Sequence, residues 1–170
     1  MKIDEVRTLF DYNYWANDRI LSAAKKVSAD QFTAPAAFPY GSLRGTLMHV
    51  LDAERTWRMR CQHIADIPDL VEADYPTLDA LLQFWRKDEA AMHAYLGSLT
   101  ANDLATSITY SIGEGKTRSR ILWHAMVHVM NHGTQHRSEA AAILTSFDCS
   151  PGDIDFTVYL LDENWHATQH

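Results

Sequence analysis

Apolar residues recur at three- and four-residue intervals through four long segments of this chain, and that spacing limits its fold more than any other feature. The first segment, from about Ile3 to Val27, carries Val6, Leu9, Phe10, Ile20, Leu21, Ala24 and Val27. The second opens at Ser42, a residue suited to capping a helix, and reaches about Ile64 with Leu43, Leu47, Val50, Trp57 and Cys61 near one face. A third runs from Thr77 through Leu99 on a stripe of Leu78, Leu81, Leu82, Trp85, Met92 and Leu96. The fourth and longest spans about Ser119 to Thr145. Pro35, Pro39 and Gly41 mark a loop at 33–42, and Pro68 and Pro76 bound another within 66–76. Residues 108–118 alternate in polarity and then turn at Gly113 and Gly115, the pattern of a small hairpin or an extended loop. After Pro151 and Gly152, the segment 155–165 suits one or two helical turns or a strand. The expected fold is all-α: a four-helix bundle with longer connections and a short C-terminal segment. No repeat or linker divides residues 1–170, so one domain is expected.

Charge removes several functional classes. Fifteen Lys and Arg stand against 22 Asp and Glu, a net −7. Phosphate backbones and anionic membrane surfaces attract basic faces, so neither nucleic acid nor membrane is the expected partner. No stretch approaches the length of an apolar span, and the acidic start at Asp4 and Glu5 does not read as a signal peptide. Cys61 and Cys149 are too few for a disulfide framework. A cytoplasmic, acidic, single-domain protein is the expectation.

The chain has nine histidines. His124, His128, His132 and His136 repeat every four residues along the fourth segment, close enough in pairs to share one metal ion. At about 100° per residue, His136 falls about 35° and His132 about 75° from the centre of that helix's apolar stripe, while His124 falls about 155° away. His132 and His136 are therefore the pair expected to face the bundle interior. A catalytic zinc commonly takes three protein ligands and leaves one position open, so a facing helix should supply a third. His49 lies one turn into the second helix, His63 near its end and His93 late in the third. A lone histidine on a helix is most often a surface or satisfied core residue, the reading given to His63, His93, His124 and His128. His166 and His170 repeat the spacing at a terminus.

Other chemistries leave no mark. There is no His-Glu-x-x-His, and the one Glu-x-x-His, Glu163 to His166, lies in the tail, which disfavours a di-iron bundle. Neither a phosphate-cradling glycine loop nor a Gly-x-Ser-x-Gly elbow is present. Cys61, on an apolar face, reads as a small core residue.

Three blocks of the chain resemble the signatures of the DinB/YfiT-like family: LFDYNYWANDRIL at 9–21, GSLRGTLMHVLDAERTW at 41–57 and HVMNHGTQHRSE at 128–139. The tail PGDIDFTVYL is similar to that family's closing segment. One departure is Ser138-Glu139, where the family more often reads Gly-Gln. The resemblance implies a four-helix bundle of that type, a homodimer, and a divalent metal ion (zinc, nickel or iron) held by His49, His132 and His136. Similar proteins include mycothiol-dependent maleylpyruvate isomerase and bacillithiol transferases. The resemblance thus implies a metal-dependent transferase or hydrolase acting on a small molecule, with a low-molecular-weight thiol as a candidate co-substrate. The alternative is a non-catalytic metal-binding or stress-induced interaction module acting as a dimer through surplus aromatics such as Tyr12, Tyr14, Trp15, Tyr40 and Tyr75. An open metal position beside a cavity would favour the enzyme. A fourth protein ligand from His128, Glu54 or Glu139 would favour the module, and Glu54 and Glu139 are equally candidates to orient a ligand ring.

Overall fold

A computed structural model describes residues 1–168 of the protein; His170 lies outside them. Four long helices carry the fold: α1 (Ile3–Ala24), α3 (Leu43–Cys61), α4 (Leu78–Ser98) and α5 (Leu122–Ser146). A short α2 (Ala29–Thr33) follows α1, a hairpin of β1 (Ser107–Ser111) and β2 (Thr117–Ile121) precedes α5, and α6 (Phe156–Leu160) and α7 (Glu163–Thr168) close the chain. The broadly all-α architecture read from periodicity is the observed one.

Local chemistry sets the ends. Ser42 Oγ accepts from Gly45 N at 3.0 Å and starts α3 where the sequence indicated. Thr77 Oγ1 accepts from Ala80 N and starts α4 in the same way. α1 stops at Ala24, short of Val27, and Ser28 and Gln31 form a capping box that starts α2 in the interval between that helix and the loop expected at 33–42. α3 ends at Cys61 rather than Ile64, with His63 in the left-handed region at φ 59°. α5 begins at Leu122, three residues after the expected start. Residues 117–121 instead pair antiparallel with 107–111, around a turn where Gly113, Glu114 and Gly115 all take positive φ. The tail resolves as helix, with Asp155 capping α6 through Thr157 N.

Each long helix packs against two others. α5 lies against α1 and α3, and α4 closes the ring by contacting the same two helices from the other side. The core divides into two apolar layers. Ile20, Leu47, Leu51, Leu81, Trp85 and Ile143 build one, while Phe10, Met92, Leu96, Leu122, Met126 and Val129 build the other. Between them every helix turns polar groups inward: Asn13 and Asn17 from α1, Glu54 and Arg55 from α3, Asp88 from α4, and His136 and Arg137 from α5 are all buried. The outer face of α1 is covered by the tail. Trp15 Nε1 donates to Asp162 at 2.8 Å, Tyr12 OH donates to the Ile154 carbonyl at 3.0 Å, and Tyr159 is buried against both rings.

Candidate metal centre

His132 and His136 share the face of α5 turned toward α3, as the wheel requires. His49 comes from α3 to meet them. Its Nε2 lies 2.9 Å from His132 Nε2, and its ring centroid is 4.7 Å from that of His132 and 4.6 Å from that of His136. One ligand-capable nitrogen from each of the three falls within 4.8 Å of the others, the one such group of histidine, cysteine or carboxylate side chains among the described residues. His136 is the deepest, only 5% exposed; the other two are half-buried.

Charge and tautomer suit metal binding. Burial, helped by the neighbouring His136, lowers the His49 pKa to about 4. Burial lowers His132 to about 4 as well, with His136, His49 and His128 adding to the effect. Both are neutral at pH 7, the form that offers a lone pair. Glu139 Oε2 lies 2.8 Å from His136 Nδ1 and accepts its proton bond, which leaves the Nε2 lone pair free. Glu139 is thus the carboxylate that orients a ring at this centre. Its neighbour Ser138, the other departure from the family pattern, is exposed and bonds back to the Thr134 carbonyl.

Glu54 does something else. Its two oxygens accept from Asn13 Nδ2 at 2.8 Å and Tyr14 OH at 3.1 Å, so it faces α1 rather than the three imidazoles. Burial raises its pKa to about 7, against the opposing bonds from Asn13 and Tyr14. His128 packs edge-on against Trp57 at 4.9 Å and stays outside the cluster. His124 meets Trp123 edge-on at the surface, and His63 and His93 are exposed, consistent with their bland reading.

A model of the DinB family matches residues 2–166, essentially the entire chain. The chain belongs to the DinB family. No curated protein matches it.

In this DinB-family chain the signature blocks now have physical roles. Gly133, between the histidines of the third block, leaves room for a buried cation: a Cβ there would sit 2.7 Å from Arg137 Nη1 and 3.1 Å from Asn13 Oδ1. Arg137, 1% exposed, donates to Asn13 Oδ1, to Asn17 Oδ1 at 3.1 Å and to Thr134 Oγ1 at 3.2 Å. The first block supplies those two asparagines, four residues apart on the buried face of α1. Sequence reasoning passed over Asn13, Asn17 and Arg137, although two amides at helical spacing within an apolar stripe were a usable signal. It placed Tyr40 among the surplus aromatics of a dimer surface rather than at this centre. Tyr40 lies at the rim, its hydroxyl 2.7 Å from His49 Nε2, beside a groove of about 230 Å³ that Met48, His49, Asp52, Leu70 and Glu72 help to line.

Proposed function

We propose that this DinB-family chain is a metal-dependent transferase or hydrolase for a small molecule, with a low-molecular-weight thiol as its co-substrate. The observation that carries the proposal is the convergence of three imidazole nitrogens within 4.8 Å next to a surface groove. Three nitrogen donors of this kind fit zinc, nickel or iron(II). They add no negative charge, so a bound divalent ion keeps its charge and lowers the pKa of a water or thiol placed on it.

The protein's own residues do the rest. His49, His132 and His136 would hold the ion, and Glu139 fixes the His136 ring with its proton on Nδ1. The groove beside His49 admits a small molecule and has Asp52 and Glu72 on its walls, a polar lining suited to a hydrogen-bonding substrate. This opening supports an enzyme over a closed metal-binding module. Among the described residues no helix is long and apolar enough to cross a membrane. A twofold dimer remains part of the proposal, as the commonest arrangement of soluble oligomers; sedimentation as a 19.3 kDa species would count against it.

The test is metal loading. Protein purified without chelating resin and titrated with zinc, nickel or iron(II) should take up one equivalent per chain and gain thermal stability by mass action. Absence of both, with all three metals, would remove the basis of the proposal.

A further inference from the structure

Cationic side chains gather where the hairpin meets the helices, on a chain whose net charge is −7. Between the hairpin, α3 and α5 lies a pocket of about 370 Å³ walled by Trp57, Tyr110, Arg118, Arg120, His124 and His128. Strand register puts the two arginines there. Ile108 pairs with Arg120 and Tyr110 with Arg118, and cross-strand partners share a face, so both arginines stand on the side where Ile108 is buried against the bundle. Thr109 and Ser119 bond to each other at 2.8 Å on the opposite side. Arg60 reaches the same aromatic pair, its guanidinium carbon 5.0 Å from the Trp57 ring centre and 4.7 Å from that of Tyr110. Arg7, Arg44, Arg55, Arg58 and Arg86 each pair with a carboxylate. Arg60, Arg118 and Arg120 pair with none among the described residues, and the pocket walls carry no acid.

The pocket adjoins the three-imidazole centre. His128 is one turn before His132 on α5, and their ring centroids lie 5.6 Å apart. Along the helix, the walls at His128 and His124 stand about 6 and about 12 Å from His132, a span that a small molecule bridges. We infer that this pocket holds the carboxylate of a small organic acid with a flat apolar body, on whose other end the metal centre acts; the second clause rests on the proposed function above. Planar guanidinium forks match the two oxygens of a carboxylate, and the Trp57 and Tyr110 rings offer a flat apolar wall. Three arginines with no carboxylate of their own supply the charge without first breaking an ion pair. The centre thereby has openings of opposite charge. The groove beside His49 carries Asp52 and Glu72, and the pocket beside His128 carries arginines. An acid is repelled from the first and held in the second, which leaves the groove to the other substrate.

Benzoate titrated into the full, metal-free chain tests the assignment, with the Trp57 indole N–H resonance as the readout. Binding should move that resonance without any metal and should weaken as chloride is added. Replacing both exposed arginines, Arg118→Gln with Arg120→Gln, should weaken binding about tenfold. Lys87→Gln, which removes a like charge from α4, should not. With cobalt(II) in the centre, the proton signals of bound benzoate should be shifted by the nearby paramagnetic ion. Three outcomes overturn the assignment while leaving the three-histidine reading intact: acetate or inorganic phosphate binding as tightly as benzoate, benzoate binding that the double variant leaves unchanged, or benzoate binding only when metal is present. Benzoate held by the arginines but unshifted by bound cobalt(II) overturns the link to the centre. A chain that binds benzoate yet takes up no metal overturns the metal-binding reading, while the anion pocket stands.

Discussion

At the scale of single residues, the centre makes unequal demands on four histidines spaced along one helix. His132 and His136 reach His49, whereas His124 lies at the surface against Trp123. Replacing His49, His132 or His136 by Ala removes one of three nitrogen donors, and no neighbour on the same helix face can take its place. Metal affinity should fall at least about tenfold, since even residues that merely orient ligands are worth about 10 to 100-fold. His124→Ala should leave metal content unchanged. Metal analysis of the four variants under identical loading makes the comparison, and loss on His124→Ala with retention on His132→Ala would contradict the geometry. Glu139→Gln should fall between, because an amide oxygen still accepts from His136 Nδ1 but without the charge.

At the scale of helices, contacts across the bundle depend on what each backbone leaves open. α1 approaches α5 at Gly133, where Arg137 and Asn13 fill the space a side chain would need. The guanidinium there is buried and bonded to two asparagines, so it cannot swing away. Gly133→Ala should destabilise the fold by about 1 to 3 kcal/mol as an overpacked site, read as a lower urea midpoint with an unchanged slope. α3 and α4 are joined by a different device. Arg58 bonds Asp88, whose side chain is 3% exposed and whose other oxygen has no hydrogen-bond partner among the described residues. Burial already raises the Asp88 pKa despite Arg58. Arg58→Ala should cost about 3 kcal/mol or more by leaving that carboxyl buried and unpaired, whereas a joint Arg58→Met, Asp88→Leu replacement should recover most of the loss. Urea denaturation of the single and double variants separates the two outcomes.

At the scale of the whole molecule, two apolar layers enclose a polar one, and that layer ties global stability to pH. Glu54 faces Asn13 and Tyr14 from α1, Asp88 from α4 and Arg137 from α5. Burial raises its pKa from 4.5 to about 7, so between those values the folded state holds a proton that the unfolded chain has released. Folding is then favoured at the lower pH. The contribution of Glu54 is fully present below about pH 4.5 and is lost as pH rises through about 7, with a span of up to about 3 kcal/mol. Glu54→Gln should flatten the fall in stability between pH 5 and 8 relative to wild type, measured by urea midpoints across that range. An unchanged profile would mean that the carboxyl is ionised in the fold throughout.

Part of this was settled by the chain's local order. Helical periodicity is written every three or four residues, so the four long helices, their caps at Ser42 and Thr77, and the shared face of His132 and His136 could be read without a partner in view. Helix ends were less legible where two local signals competed. The Ser28–Gln31 box opens α2 directly after the first apolar stripe, and cross-strand bonds from 107–111 claimed residues 117–121 before α5 could extend over them. His49 was identified through the resemblance of its block, because nothing local says which helix will face α5, and it meets His132 across 83 positions. Glu54 and Glu139 looked alike as candidates, yet one faces α1 and the other holds His136. Packing alone decided that, together with the Asn13–Arg137 contact that Gly133 permits and the contact of Tyr40 with His49. A residue's phase on its own helix is set by rotation about that axis, but its partner is set by how several helices jointly bury their stripes.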